Sequence, residues 1–183
     1  SLDVAARSGN SMVLSMGPQH PSTHGVLQVV LEVAGEIVES AEMEIGYLHT
    51  GIEKSAENLF WTQAQTVIER MDYLSPLGNA MCYVLAAEKL LGITDRIPER
   101  AQAIRVLFCE LTRIASHCVW LGTGAIDLGA ISTFFYSFDI REDILDLQEV
   151  AGGARIHPNY FRIGGPAGPL ARAVSGYFPL AHR

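Results

Sequence analysis

The sequence predicts an α+β fold, a small N-terminal antiparallel sheet followed by a helical bundle. Three observations predict it. Alternating, β-branched runs are confined to the first 45 residues, spacings of three and four between apolar positions begin at residue 52, and no strand-like run returns between the later helices, as a parallel sheet would require.

Residues 1–11 read as a disordered N-terminus, and the sheet is expected over 12–45. Leu27–Val33 and Ile37–Met43 alternate around Ala34-Gly35-Glu36, a hairpin with a tight turn. The bundle is expected over 52–151, first through Glu53–Asn58 and then through Trp61–Arg70. Pro76 should stop the second helix near residues 71–75, because it has no N–H and disfavours helical backbone in the residue before it. A third helix runs from Leu77 to Leu91 and ends at Gly92. Pro98 opens a long helix whose inward stripe is Ile104, Leu107, Phe108, Leu111, Ile114, Ala115 and Cys118. The last helix, Thr133–Val150, turns Phe134, Phe138, Ile144 and Leu147 inward and stops at Gly152-Gly153. The domain closes near 163, and 164–183, with four glycines and three prolines, reads as an irregular tail.

With 183 residues, 49% hydrophobic and 18% charged, the chain can bury the core of one ordinary domain. A net charge of −7, with 13 Lys and Arg scattered along the chain, argues against nucleic-acid binding. The mean hydropathy of +0.20 is high for a free monomer and points to apolar surface kept for partner subunits. A membrane helix needs about 20 mostly apolar residues; the best run, Leu121–Phe138, is broken by Asp127 and three glycines. Ser1–Asn10 lacks a secretory pattern, so a cytosol-facing location is expected. Cys82, Cys109 and Cys118 form no CxxC pair and read as buried thiols rather than metal ligands. Neither GxGxxG nor a Walker A spacing is present, so no Rossmann dinucleotide site is expected.

The segment Gly17-Pro18-Gln19-His20-Pro21-Ser22-Thr23-His24-Gly25 places two histidines in a loop stiffened by prolines and bounded by glycines. Zinc fits it poorly: two ligands are too few, and Pro21 breaks the helix that an HxxxH pair needs. On these residues alone it is a solvent-exposed loop with ordinary histidines, or a rigid functional one. Tyr73, in Arg70-Met71-Asp72-Tyr73, can point past a helix end into a cleft, or pack on the core edge. Asp127 interrupts an apolar, glycine-rich stretch, and if buried it must be paired. His157 follows Arg155 in a turn before Pro158.

Taken together, these segments resemble the family of the D-type subunit of bacterial complex I, called the 49-kilodalton subunit in mitochondria. The carriers are Gly17–Gly25, Ile45-Gly46-Tyr47-Leu48-His49-Thr50-Gly51-Ile52-Glu53-Lys54, Arg70–Tyr73, Glu88–Ile93, Ile104–Leu107 and Gly153–Tyr160, in that order, over roughly residues 13–165. The resemblance implies a fold related to the nickel–iron hydrogenase large subunit, and a site where ubiquinone or menaquinone is reduced to quinol beside an iron–sulfur cluster held by a partner. By the same likeness, His24 and Tyr73 hydrogen-bond the quinone carbonyls, Asp127 pairs with His24, His20 lines the same loop, and Arg70 and His157 lie near the partner's cluster. The implied partners are the cluster-bearing B-type subunit, the C-type subunit and the H-type subunit of the membrane arm, with NADH oxidised elsewhere in the complex. The implied location is peripheral, on the cytoplasmic side of the plasma membrane.

Quinone reduction takes two electrons and two protons. An imidazole with an ordinary pKa near 6.5 and a phenol near 10 can both donate as charge builds on oxygen. Proton uptake there would be the trigger that couples the site to proton translocation. Thr50 stands where many relatives have arginine, near the cluster, so the resemblance implies a different tuning of the cluster here. The tail from Gly164 departs from the family, whose members continue further, so the chain reads as a fragment or truncated copy with no turnover alone and a partly exposed apolar face. Two other readings follow, a non-catalytic scaffold and a nickel–iron hydrogenase large-subunit relative. The second is opposed by Met71, Asp72, Tyr73 and Leu74 standing where its first cysteine pair would fall.

Overall fold

The computed structural model describes residues 11–168. The chain divides into two units that meet between Gly51 and Ile52. In the first, β1 (Met12–Met16), β2 (Gln28–Ala34) and β3 (Ile37–Glu44) form an antiparallel sheet in the order β1-β2-β3. The expected hairpin is present, closing at Ala34↔Ile37 around Gly35-Glu36, with a register shift at Glu32/Val33. Glu32 is tied across the strands, accepting from Ser11 Oγ at 3.0 Å and Ser40 Oγ at 3.4 Å. Every residue of β3 is exposed and every residue of β2 half-buried, so none of the buried apolar residues lies in this sheet.

The second unit carries α1 (Ile52–Glu57), α2 (Trp61–Ile68), α3 (Pro76–Leu91), α4 (Glu99–Asp127), α5 (Ile131–Gly152) and a two-stranded ribbon of β4 (Phe161–Arg162) and β5 (Gly165–Pro166). Helices α4 and α5, joined by Leu128-Gly129-Ala130, lie along one another, because so short a connection folds the second helix back on the first. The core is Leu77, Ala80 and Val84 of α3, Ile104 and Phe108 of α4, and Tyr160 and Phe161 after α5, with the Phe108 and Tyr160 rings 5.0 Å apart.

Four expectations are corrected. Helix α2 ends at Ile68, not near 71–75: the Arg70 and Met71 amides bond back only three residues, to Val67 and Ile68, which tightens and closes the turn. Pro76 instead occupies the first turn of α3, where its missing N–H costs nothing. On α4, Ile104, Phe108 and Ala115 do face inward, but Leu107 and Ile114 are exposed and Arg105 and Thr112 are buried in their place. The inward face is set by what opposes it, a carboxylate on α3 and an amide on α5. On α5, Ile144 is buried while Phe134, Phe138 and Leu147 are half-buried; Phe134 and Phe138 stack on each other at 4.1 Å. The tail begins in order, since Gly165-Pro166 pairs with β4 and Ala167 N–H donates to the Tyr160 carbonyl at 2.7 Å. Residues 1–10 and 169–183, expected to be disordered and irregular, lie outside the described residues.

No helix among the described residues is long and apolar enough to cross a membrane. Trp120, Leu128, Ile131, Phe135 and Tyr136 are nevertheless exposed along α4, the connection and α5.

Candidate functional site

In the first unit the histidine loop is organised by Thr23, a residue the sequence reading passed over. Thr23 is buried, and its hydroxyl lies 3.1 Å from the Pro18 carbonyl and 3.0 Å from that of His20. Gly17, at φ +89°, must be glycine: a Cβ there would stand 2.2 Å from the Leu27 carbonyl and 2.9 Å from Thr23 Oγ1. The loop therefore closes on itself through a 3-10 turn, Pro21–Thr23. It holds His24 exposed, with its backbone in the left-handed region at φ +52°. A non-glycine residue pays about 1–3 kcal/mol for that conformation and keeps it only where its surroundings fix it. His20 is exposed on the same loop.

The second unit carries the other candidates. After α2 the chain turns at Asp72, whose Oδ1 accepts from Leu74 N–H at 3.0 Å and whose carbonyl accepts from Ser75 N–H at 3.1 Å and Asn79 Nδ2 at 3.2 Å. These bonds fix the bend that presents Tyr73, 55% exposed, at the rim of a shallow depression lined by Pro76, Thr112, Ala115, Arg141 and Ile156. Arg70 is exposed and its Nη1 donates to the Thr66 carbonyl.

Residues 153–160 pass back over the same region. Arg155 ties them to α5 through Asp146 at 2.7 Å and through Glu142. A Cβ on Gly152 would stand 2.4 Å from Pro158 Cβ, so the turn packs directly on the helix end. His157 is half-buried, its imidazole hydrogen-bonded to the Glu69 backbone and its Nδ1 buried without a partner. Burial pushes that imidazole below its ordinary value, and the nearby Arg70 charge adds to the effect. Arg70 and His157, expected to share a neighbourhood, are brought together.

Between them lies Glu69, fully buried, whose Oε2 accepts the Asn159 N–H at 3.0 Å. Burial raises its carboxyl above the usual range; the Asn159 N–H, the Gln65 amide and the charges of Arg70 and Arg162 pull the other way. Sequence reasoning missed Glu69, although its position one turn after the buried Gln65 puts both on the inward face of α2.

Asp127 is the last residue of α4, exposed and without an ion pair or hydrogen bond among the described residues; at 1.5 Å per residue it lies roughly 18 Å along α4 from Ala115. Its expected partner, His24, belongs to the other unit, as does His20, while Arg70, Tyr73 and His157 belong with it. The three cysteines are free; Cys109 and Cys118 are half-buried, but Cys82, expected inside, is exposed. Burial pushes the Cys109 thiol up to about 11.

The fold and these two clusters define an α+β protein with a rigid histidine loop on one unit and an Arg–Tyr turn backed by a half-buried histidine on the other. Residues 127–176 match the family described as respiratory-chain NADH dehydrogenase, 49 Kd subunit. The D-type subunit numbered 1 of the NADH-quinone oxidoreductase of Symbiobacterium thermophilum is 59% identical over 157 residues, 85% of this chain and 39% of the relative. The D-type subunit numbered 2 of Chloroflexus aurantiacus is 57% identical, over 90% of this chain and 39% of the relative, and the D-type subunit of Parafrankia is 53% identical over 97% and 40%. The chain belongs to this 49 kDa, or D-type, subunit family, and it spans about two fifths of the length of the curated relatives it matches.

Proposed function

We propose that this chain contributes the quinone head-group site of an NADH-quinone oxidoreductase, with His24 and Tyr73 as the donors to the two quinone carbonyls. Asp127 orients His24, and His20 lines its loop. Arg70 and His157 face the iron–sulfur cluster of a B-type partner, with the C-type and H-type subunits as further neighbours. NADH is oxidised elsewhere in the complex, and the chain sits peripherally on the cytoplasmic side of the plasma membrane. Its architecture, residues 12–163 forming the N-terminal half of the family's domain, is then related to the hydrogenase large subunit. The exposed apolar residues of α4 and α5 suit a surface covered in an assembly.

The observation that carries this reading is the meeting of Arg70 with the half-buried His157, three residues before an exposed Tyr73. An electron-accepting quinone needs protons delivered where its oxygens become basic. A phenol with its tip in solvent, on a turn clamped by Asp72, is built to hold such an oxygen. The quinone would take two electrons from the partner's cluster and two protons at its oxygens, leaving as quinol; reprotonation of the donors is the step available for coupling to proton translocation.

The test is Tyr73→Phe in the assembled enzyme. Quinone reduction should fall at least tenfold, as loss of a positioned proton donor costs roughly 10²–10⁴ in rate, while the cluster stays reducible by NADH. Unchanged turnover would remove Tyr73 from the site.

A further inference from the structure

We propose that Glu69 is a proton-binding site, taking its proton on Oε1 and serving, when ionised, as the counter-charge of Arg70. The proposal goes beyond the quinone reading and does not depend on it.

Glu69 has no surface exposure, so its carboxylate has no water to solvate it. Its two oxygens are unequal. Oε2 accepts the Asn159 N–H at 3.0 Å, whereas Oε1 is buried and takes no hydrogen bond. No Lys, Arg or His nitrogen among the described residues forms an ion pair with it.

The turn lying over it is short of donors. Asn159 Oδ1 and His157 Nδ1 are also buried without partners, and Asn159 sits in the left-handed region at φ +45°. With Glu69 Oε1, the region holds three buried polar side-chain atoms without a hydrogen-bond partner, two of them oxygens that can only accept while Glu69 is ionised. Each acceptor left unserved in the interior carries a desolvation cost. A proton on Oε1 removes the charge and converts one of those acceptors into a donor.

The groups around the carboxyl are the Gln65 amide from α2, Arg70 beside it in the chain, Arg162 from β4, and the Asn159 N–H from the turn above. The two arginines bear the charge, and both are themselves exposed, so solvent screens them, while the titratable His157 meets the backbone of Glu69 and is pushed toward its neutral form by burial. They are close enough to stabilise the ionised form when the proton leaves, and too wet to expel the proton throughout the acid range. The upward displacement of the carboxyl by burial agrees with this geometry.

The experiment is a pH titration of the 183-residue chain from about pH 4 to pH 8, a range beginning near the ordinary glutamate value, followed by infrared and by NMR with glutamate carboxyl labelling. One protonated carboxyl band should persist after the other acidic groups have ionised, and it should vanish in Glu69→Gln. In wild type the Asn159 amide, which donates to Oε2, should shift with the same midpoint; this needs no variant and stands if Glu69→Gln does not fold. Titration of all carboxyls together in the ordinary range, a late band that survives Glu69→Gln, or an Asn159 amide that ignores that midpoint would each overturn the proposal.

Discussion

Glu88 and Glu69 are both sealed within the helical unit, at 1% and 0% exposure, yet their carboxyls are displaced in opposite directions. Burial alone would raise both. For Glu88 it is outweighed: Arg105, equally buried, grips it with Nη2 at 2.6 Å from Oε1 and Nη1 at 3.0 Å from Oε2, and the Gly164 N–H adds a third bond at 2.8 Å, so the carboxyl lies below its ordinary value. For Glu69 burial wins, because its arginines stand in water. What separates the two is whether the cation is inside the seal with the carboxylate: a guanidinium in the core acts at low effective dielectric, one at the surface does not. The first arrangement pins α3 to α4 and, through Arg105 Nη2 to the Arg162 carbonyl at 2.8 Å, to the terminal ribbon. The second leaves a group free to change charge.

The largest break in this contrast is Arg105→Met. It leaves Glu88 buried with only the Gly164 N–H, and breaking a buried pair from one side costs about 3–5 kcal/mol. That is a large share of the 5–15 kcal/mol typical of a domain. Denaturant unfolding at neutral pH should show it, and adding Glu88→Leu should recover most of the loss, since an apolar pair carries no stranded charge. A cost below about 1 kcal/mol would mean the pair is not a pin. The pH dependence carries a sign. A depressed folded value means that Glu88 stabilises above the ordinary carboxylate range and loses that contribution as pH falls through its folded value. In Arg105→Met the stranded carboxylate is relieved by protonation, so the deficit of the variant should shrink in acid.

Glu69→Gln should do the reverse, with a smaller effect. A raised folded value means that the proton on Glu69 stabilises fully below the ordinary carboxylate range, and that this is lost as pH rises through the folded value. The glutamine keeps an oxygen for the Asn159 N–H and never ionises, so its melting temperature relative to wild type should climb across that window. His157, whose depressed value takes stability away on acidification below the ordinary histidine value, is common to both proteins. A flat difference from about pH 4 to pH 8 would show that Glu69 titrates like a surface carboxylate.

Much of the architecture was legible because it rests on local chemistry. The hairpin at Gly35, the helix end at Gly92, the opening at Pro98 and the stop at Gly153 follow from backbone preferences that each residue carries by itself. The inward faces were less legible. Leu107 and Ile114 have the right spacing, but Arg105 and Thr112 take the inside because Glu88 on α3 and Gln148 on α5 wait opposite, at 2.6 Å and 3.0 Å. Such pairings join residues 17 and 36 positions apart, which a period of three or four cannot reveal. The candidate site divides in the same way. His20, His24, Arg70, Tyr73 and His157 stood out as chemically able residues in marked turns. Thr23, Asp72 and Glu69, which hold or charge those turns, are ordinary in composition and acquire a role only through the backbone groups they meet.

The smallest expected effect concerns a third carboxylate, Asp127, which is neither sealed nor paired among the described residues. It ends a 29-residue helix, where the unsatisfied carbonyls already carry partial negative charge, so an anion there is placed against the helix dipole. Asp127→Asn should therefore stabilise the chain by about 0.3–1 kcal/mol at low ionic strength, less as salt is added. Unfolding at two salt concentrations measures it. A residue kept where its charge costs stability is what a site for orienting an imidazole would require, and in the assembled enzyme the same substitution should lower quinone reduction. A gain in stability with full activity would leave Asp127 as a helix end and nothing more, and no gain at all would mean that its charge is already met by a cation in the folded chain.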